Sequence, residues 1–167
     1  MDDHNKYANI ILEMDKEDQD ARKIFASGPN NPERYNEIVA PVDRKNENMI
    51  LEIMDVVGWP VISKFGEIAS YSFWRLVQHA KIDIKRRALE LMEKNMEDIN
   101  KKNYAMLKDR VLLIDKKPQI YGTQLGLNPE TNKPELLPVE NMDKVDELRA
   151  SVGLGPLSEY LASFNQN

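Results

Sequence analysis

Apolar side chains recur with a helical period through the first hundred residues. Over 7–25, Ile11, Met14, Ala21 and Phe25 fall at steps of three, seven and four, which predicts an amphipathic helix. The turn formers Ser27-Gly28-Pro29-Asn30-Asn31-Pro32 end it in a loop. A second helix is predicted over 43–57 through Met49, Ile50, Ile53, Met54 and Val57, with Pro41 just upstream and Gly58-Trp59-Pro60 as its stop. The third, over 63–80 with Ser63 as its cap, is apolar nearly all round, and a helix without a broad polar face belongs at the centre of its neighbours. A fourth over 83–100 has an apolar side containing Ile84, Ala88, Leu91, Met92 and Ile99, and a charged side.

After a short helical turn at 104–107 the pattern changes. Residues 110–114 are rich in β-formers, 115–118 reads as a turn and 119–125 alternates, so a hairpin is predicted, with 135–139 as a third strand. Short helices over 143–152 and 158–164 close the chain. The fold class is therefore mostly helical α+β: five to six helices around the central helix at 63–80, with a small antiparallel hairpin or three-stranded sheet over about 110–139.

A length of 167 residues suits a single domain over 1–167, with 1–6 and 165–167 frayed. At 41% hydrophobic and 31% charged, the chain is too apolar for disorder and too polar for a membrane bundle. The absence of cysteine removes disulfides, thiolate nucleophiles and Cys-ligated metal centres. A net charge of −5 removes the general attraction to nucleic acid and to anionic lipid, so neither is an expected partner. No signal-peptide pattern opens the sequence and no apolar run is long enough to span a bilayer, which points to the cytoplasm. Phosphate-loop, GxGxxG, HExxH, GxSxG and EF-hand motifs are missing. Lys81, Lys85, Arg86 and Arg87 form a basic cluster that Asp83 interrupts, which reads as a solvated helix face.

Several polar residues occupy positions where an apolar one would be expected. Asp18 lies in the buried stripe of the first helix, and a carboxylate there needs a partner; Arg22, one turn later, is the nearest. On the central helix Ser72, Arg75 and His79 follow one another at steps of three and four, while Gln78 points away from that edge. His79 is the leading candidate for chemistry, although a histidine near a helix end can equally serve the backbone. With only two histidines, one in the terminal segment, a multi-histidine metal site is not expected, and no cofactor is implied. Asp43 reads as an N-terminal cap, with Asn46 one turn on, on the face of Ile50 and Met54. In the hairpin, Gln119, Tyr121 and Thr123 share a strand face, with Gln124 on the other side, close in sequence to Arg110.

Seven short signatures occur in order: Asp18-Gln19-Asp20-Ala21-Arg22, Gly58-Trp59-Pro60, Gly66, Gln78-His79-Ala80, Asp109-Arg110-Val111, Gln119-Ile120-Tyr121-Gly122-Thr123-Gln124, and Val145-Asp146 with Arg149 ahead of Gly153-Leu154. Together they resemble a bacterial family of uncharacterised domains marked by GWP, QHA, DR and QxYGTQ, over roughly 18–160. The resemblance implies kinship of fold and carries no reaction. Its polar positions are Asp18, Gln19, Arg22, Gln78, His79, Asp109, Arg110, Gln119, Tyr121, Gln124 and Arg149.

The leading functional expectation is a metal-independent hydrolase or transferase acting on a small polar or phosphorylated compound. His79 would be the acid/base, oriented by Asp18 or Asp109. Arg22, Arg110 or Arg149 would hold an anionic group, and Gln19, Gln78, Gln119, Tyr121 and Gln124 would supply hydrogen bonds. The same pocket without bond making would describe an anion- or small-molecule-binding protein. A third expectation, a protein-interaction module of the immunity or anti-defence type, requires Trp59, Tyr71 or Trp74 on an exposed patch.

Overall fold

A computed structural model describes residues 3–164. The chain divides into two compact units, Met1–Ile99 and Asn100–Asn167. Among the described residues there are eight helices and one two-stranded antiparallel sheet, a mostly helical α+β fold. No helix is long and apolar enough to cross a membrane.

The first unit contains α1 (Asp3–Ala26), α2 (Pro32–Ile38), α3 (Ala40–Val56), α4 (Ile62–His79) and α5 (Ile82–Glu93). As its apolar sequence required, α4 is the hub, packing on α1, α3 and α5. Phe73, Leu76 and Val77 of α4 meet a core that includes Ile11, Ile50, Ile53 and Met92, all nearly or wholly removed from water. Trp59, from the Gly58-Trp59-Pro60 stop, packs edge-on against Phe73 with ring centroids 5.3 Å apart. Of the segments expected to fray, residues 3–6 are helical, and 1–2 and 165–167 lie outside the described residues.

The second unit contains α6 (Lys101–Ile114), β1 (Leu125–Leu127), β2 (Pro134–Leu136), α7 (Val145–Ser151) and α8 (Leu157–Phe164). Leu125 pairs with Leu136 and Leu127 with Pro134.

Several boundaries differ from the sequence reading. The run at 110–114 is not a strand, and the short turn at 104–107 is not separate from it: both belong to α6. Tyr104, Leu107 and Val111 are buried at steps of three and four, so helical packing overrides the β-propensity of Val111-Leu112-Leu113-Ile114. Asn100 caps this helix by accepting from the backbone N–H groups of Lys102 (3.0 Å) and Asn103 (3.2 Å). Its other end closes with Lys116 in the left-handed region, φ 59°, while the N–H of Lys117 reaches back to the carbonyl of Leu112. Residues 119–124 are irregular rather than a strand, and the third strand over 135–139 shrinks to β2 plus one isolated parallel bridge between Gln119 and Val139.

In the first unit, α5 stops at Glu93 instead of 100, where the Asn95 side chain donates to the carbonyl of Leu91. The apolar pattern predicts no helix at 32–38, yet Asn31 accepts from the N–H of Arg34 (2.9 Å) with Pro32 next, a cap followed by proline in the first turn. Ser63 does not cap α4; its backbone N–H donates to Asp98 (2.9 Å), which serves that helix start from a distant part of the sequence.

Gly66 interrupts α4 with φ 76° and ψ 162°, a backbone state that is nearly glycine-only. A Cβ built there would meet no atom within 4 Å, so a substitution carries backbone strain without a clash. Gly66→Ala is expected to lower stability by about 1–3 kcal/mol, read as a lower urea midpoint with an unchanged slope.

Candidate functional site

The candidate site in the first unit grows from two aspartates of α1, one turn apart, facing the polar edge of α4. Asp15 accepts from the Ser72 hydroxyl (2.7 Å) and from Arg75 Nε (2.7 Å), with a second contact from the same guanidinium. Asp18, 1% exposed, lies within 3.1 Å of His79 Nδ1 and accepts from Arg22 Nε at 3.1 Å and from the Gln19 amide at 2.9 Å. The spacing of 15 and 18 on one helix therefore matches that of 72, 75 and 79 on the other, and the stripe of polar residues is an interhelical lock.

Arg22 extends the network. Its second nitrogen reaches Asp43 of α3 at 2.5 Å, and the Tyr35 hydroxyl of α2 donates to the other oxygen of Asp43 at 2.6 Å. Asp43 is thus not the cap that its position suggested; its carboxylate joins α1, α2 and α3. Burial acts to raise the Asp18 pKa, but hydrogen bonds from His79 and Arg22 and their charges outweigh it and hold the carboxyl below its ordinary range.

An ionised carboxylate only accepts hydrogen bonds, so Nδ1 of His79 carries the proton and Nε2 holds the lone pair in the neutral ring. Among the described residues Nε2 has no hydrogen-bond partner, and 28% of the side chain is exposed. His79 lines a hollow of about 280 Å³ together with Tyr35, Asp43, Arg44, Glu47 and Lys81. Glu47 is bound to Lys81 (2.8 Å), and Asp43 to Arg22 and Tyr35, whereas Arg44 is exposed and forms no ion pair among the described residues. The arrangement offers an oriented proton acceptor beside a guanidinium that can meet an anion.

The sequence reading missed Tyr35, Asp43, Arg44, Glu47 and Lys81 as neighbours of His79. One signal was available: Asp43 and Glu47 are one turn apart on α3. Gln78 is half-buried beside His79.

The remaining expected site residues belong to the second unit, where they organise the irregular stretch 119–124. Asp109, fully buried, accepts from the N–H groups of Ile120 (2.8 Å), Tyr121 (3.0 Å) and Thr123 (2.9 Å) and from the Thr123 hydroxyl (2.8 Å). The Gln119 amide donates to the carbonyls of Gln124 (3.0 Å) and Leu137 (2.8 Å) and accepts from the N–H of Gln124 (2.9 Å). Arg149 donates to the carbonyls of Gly155 (2.7 Å), Tyr121 (2.8 Å) and Gly122 (3.3 Å) and lies over the Tyr160 ring. Gln124 accepts from Arg110 Nε at 3.3 Å, and burial lowers the Arg110 pKa. Of the two carboxylates considered for orienting His79, Asp18 is the one bonded to it, while both oxygens of Asp109 are filled by the loop.

Among the described residues no group of three or more His, Asp or Glu side chains is placed to hold a metal ion. The model of a family of unknown function, DUF6624, matches residues 6–167. The chain belongs to that family. Membership covers nearly the whole DUF6624 chain and brings no activity with it. No curated protein and no solved structure matches it.

Two outcomes follow from these networks. Because the folded-state pKa of Asp18 is depressed, its contribution to stability is full above the ordinary carboxylate value of about 4 and is lost as pH falls from there through the folded-state value. Asp18→Asn is therefore expected to flatten the stability–pH curve below about pH 4, measured by urea unfolding across an acid series. Asp109→Ala strands four donors, the two of Thr123 buried and those of Ile120 and Tyr121 half-buried, and is expected to cost about 3 kcal/mol or more, with hydrogen exchange rising first at Ile120, Tyr121 and Thr123.

Proposed function

We propose that this DUF6624 protein is a hydrolase or transferase of the bacterial cytoplasm that acts on a small polar or phosphorylated compound, with His79 as general acid/base. The observation that carries this reading is the asymmetry of the imidazole: Nδ1 is tied to a buried carboxylate, Nε2 has no hydrogen-bond partner among the described residues, and the ring lines the hollow. A carboxylate behind a histidine fixes its tautomer and stabilises the imidazolium that forms when it takes a proton. Arg22 holds Asp18 from the other side, so the pair is positioned before any substrate arrives. Arg44 supplies the charge that would seat an anionic group.

The reading is metal-independent because the carboxylates nearest His79 are already engaged by Arg22, Tyr35 and Lys81. Asp109, Gln119 and Arg149 are assigned to holding their loop, since their polar atoms are spent on backbone groups. Binding without turnover is the second reading, favoured by the same unengaged Arg44. The interaction-module reading loses its main anchors: Trp59 and Trp74 are buried, and only Tyr71, at 45%, is exposed.

The test is incubation of the protein with a panel of phosphomonoesters and phosphodiesters, followed by phosphorus NMR and mass spectrometry. His79→Gln and Asp18→Asn are each expected to lower turnover by about a hundredfold or more, and His79→Gln to leave the thermal midpoint within a degree or two. A ligand that stabilises the protein and is recovered intact supports the binding reading. Turnover that survives His79→Gln overturns the catalytic one.

A further inference from the structure

The charges around the His79 hollow balance in a particular way. Arg22 is shared between Asp18 (3.0 Å) and Asp43 (2.5 Å), so two negative charges there have one positive answer. Glu47 is matched by Lys81, whose ammonium (2.8 Å) and backbone N–H (3.0 Å) both meet its carboxylate. Arg44 lines the hollow, is exposed and forms no ion pair among the described residues, so it is the cation left to meet an incoming anion. It also brings the set to neutrality, three carboxylates against three cations. The next charges outward, Asp15 with Arg75 and Glu17 with Lys45, are themselves paired. When His79 takes a proton the set gains one positive charge, which a single negative charge on the substrate matches and a double one exceeds.

A neighbouring hollow has a different character. Tyr35 also lines an open hollow of about 450 Å³ with Phe25, Asn30, Asn31, Pro32 and Asn36, none of which is charged. The two hollows therefore lie within the span of one tyrosine side chain at that wall. Asn30 and Asn36 are exposed, and their carboxamides make no hydrogen bond among the described residues. Amides free to donate and accept, beside aromatic rings, suit an uncharged ring that carries hydroxyl or amide groups. Resting on the reading of the His79 hollow as a reaction site, we propose that its substrate has a singly charged anionic group, a phosphodiester or a carboxylate, joined to an uncharged polar ring. The anion meets Arg44, the ring occupies the hollow beyond Tyr35, and doubly charged phosphomonoesters are selected against.

The test is calorimetric titration of the full chain at about pH 8, above the second ionisation of a phosphomonoester near pH 6. Two pairs of probes each share an uncharged ring and differ by one charge: uridine 2′,3′-cyclic phosphate against uridine 3′-monophosphate, and glucuronate against glucose 6-phosphate. In at least one pair the singly charged member is expected to bind about tenfold or more tightly than its partner, and the pair that does so tells phosphodiester from carboxylate. Arg44→Gln, at an exposed position, is expected to weaken that probe about tenfold without moving the thermal midpoint. Glu47→Gln releases Lys81 and is expected to narrow the gap between the two charge states. Asn30→Ala combined with Asn36→Ala is expected to weaken the ring-bearing probe at least about threefold. The proposal is overturned if the gap is smaller than this in every pair that binds, if neither singly charged probe binds at millimolar concentration, or if the asparagine variant binds unchanged. A probe held with this charge preference but never converted sinks the catalytic reading alone. A phosphomonoester turned over through His79 sinks this inference and leaves that reading standing.

Discussion

Taking an ionised carboxylate out of water costs several kcal/mol unless donors surround it, and three aspartates among the described residues are buried. Each gathers its own cage. Asp15 fixes Ser72 and Arg75, Asp18 fixes Arg22, Gln19 and His79, and Asp109 fixes the stretch from Ile120 to Thr123. In the first unit this decides the register of α1 on α4, because a slide by one turn would offer each carboxylate the wrong partner. Apolar packing brings the helices together, and the buried charges select one alignment among several of similar burial.

The cages differ in what they leave over. Asp109 is served by groups whose bonding capacity is then used up, and so is the Gln119 amide. Asp18 is served in part by a ring whose second nitrogen has no hydrogen-bond partner among the described residues, and that ring lines a hollow. A polar residue in a core position thus has two fates, and local hydrogen-bond accounting separates them where residue type alone does not.

Much of this was legible in the sequence. The four longer helices of the first unit followed from their apolar period, the hub from the nearly continuous apolar surface of α4, and the Asp18–Arg22 pair from a carboxylate misplaced in a buried stripe. The second unit was less legible for a physical reason. Val111-Leu112-Leu113-Ile114 has the composition of a strand, and its helical state is set by contacts of Tyr104 and Leu107 earlier in the same segment. The 119–124 stretch has the alternation of a strand, yet the N–H groups of Ile120, Tyr121, Thr123 and Gln124 go to side chains of Asp109 and Gln119 rather than to a neighbouring strand. Such pairings over ten or so residues leave no period to detect. Asp43 was misread because an acidic residue early in a helix fits the dipole whether or not a distant guanidinium awaits it.

The short helix α2 buries no residue of its own. It is held by the Asn31 cap, by the edge contact of Tyr35 with Phe25, and by the bond from Tyr35 to Asp43. Segments with so little buried surface breathe at a free energy far below that of global unfolding. Tyr35 forms part of the wall around His79, so excursions of α2 alter the doorway to the imidazole while α1, α3 and α4 stay in place. Because Tyr35 is bonded to Asp43, and Asp43 to Arg22, the same excursions also loosen the far end of the charged network behind His79.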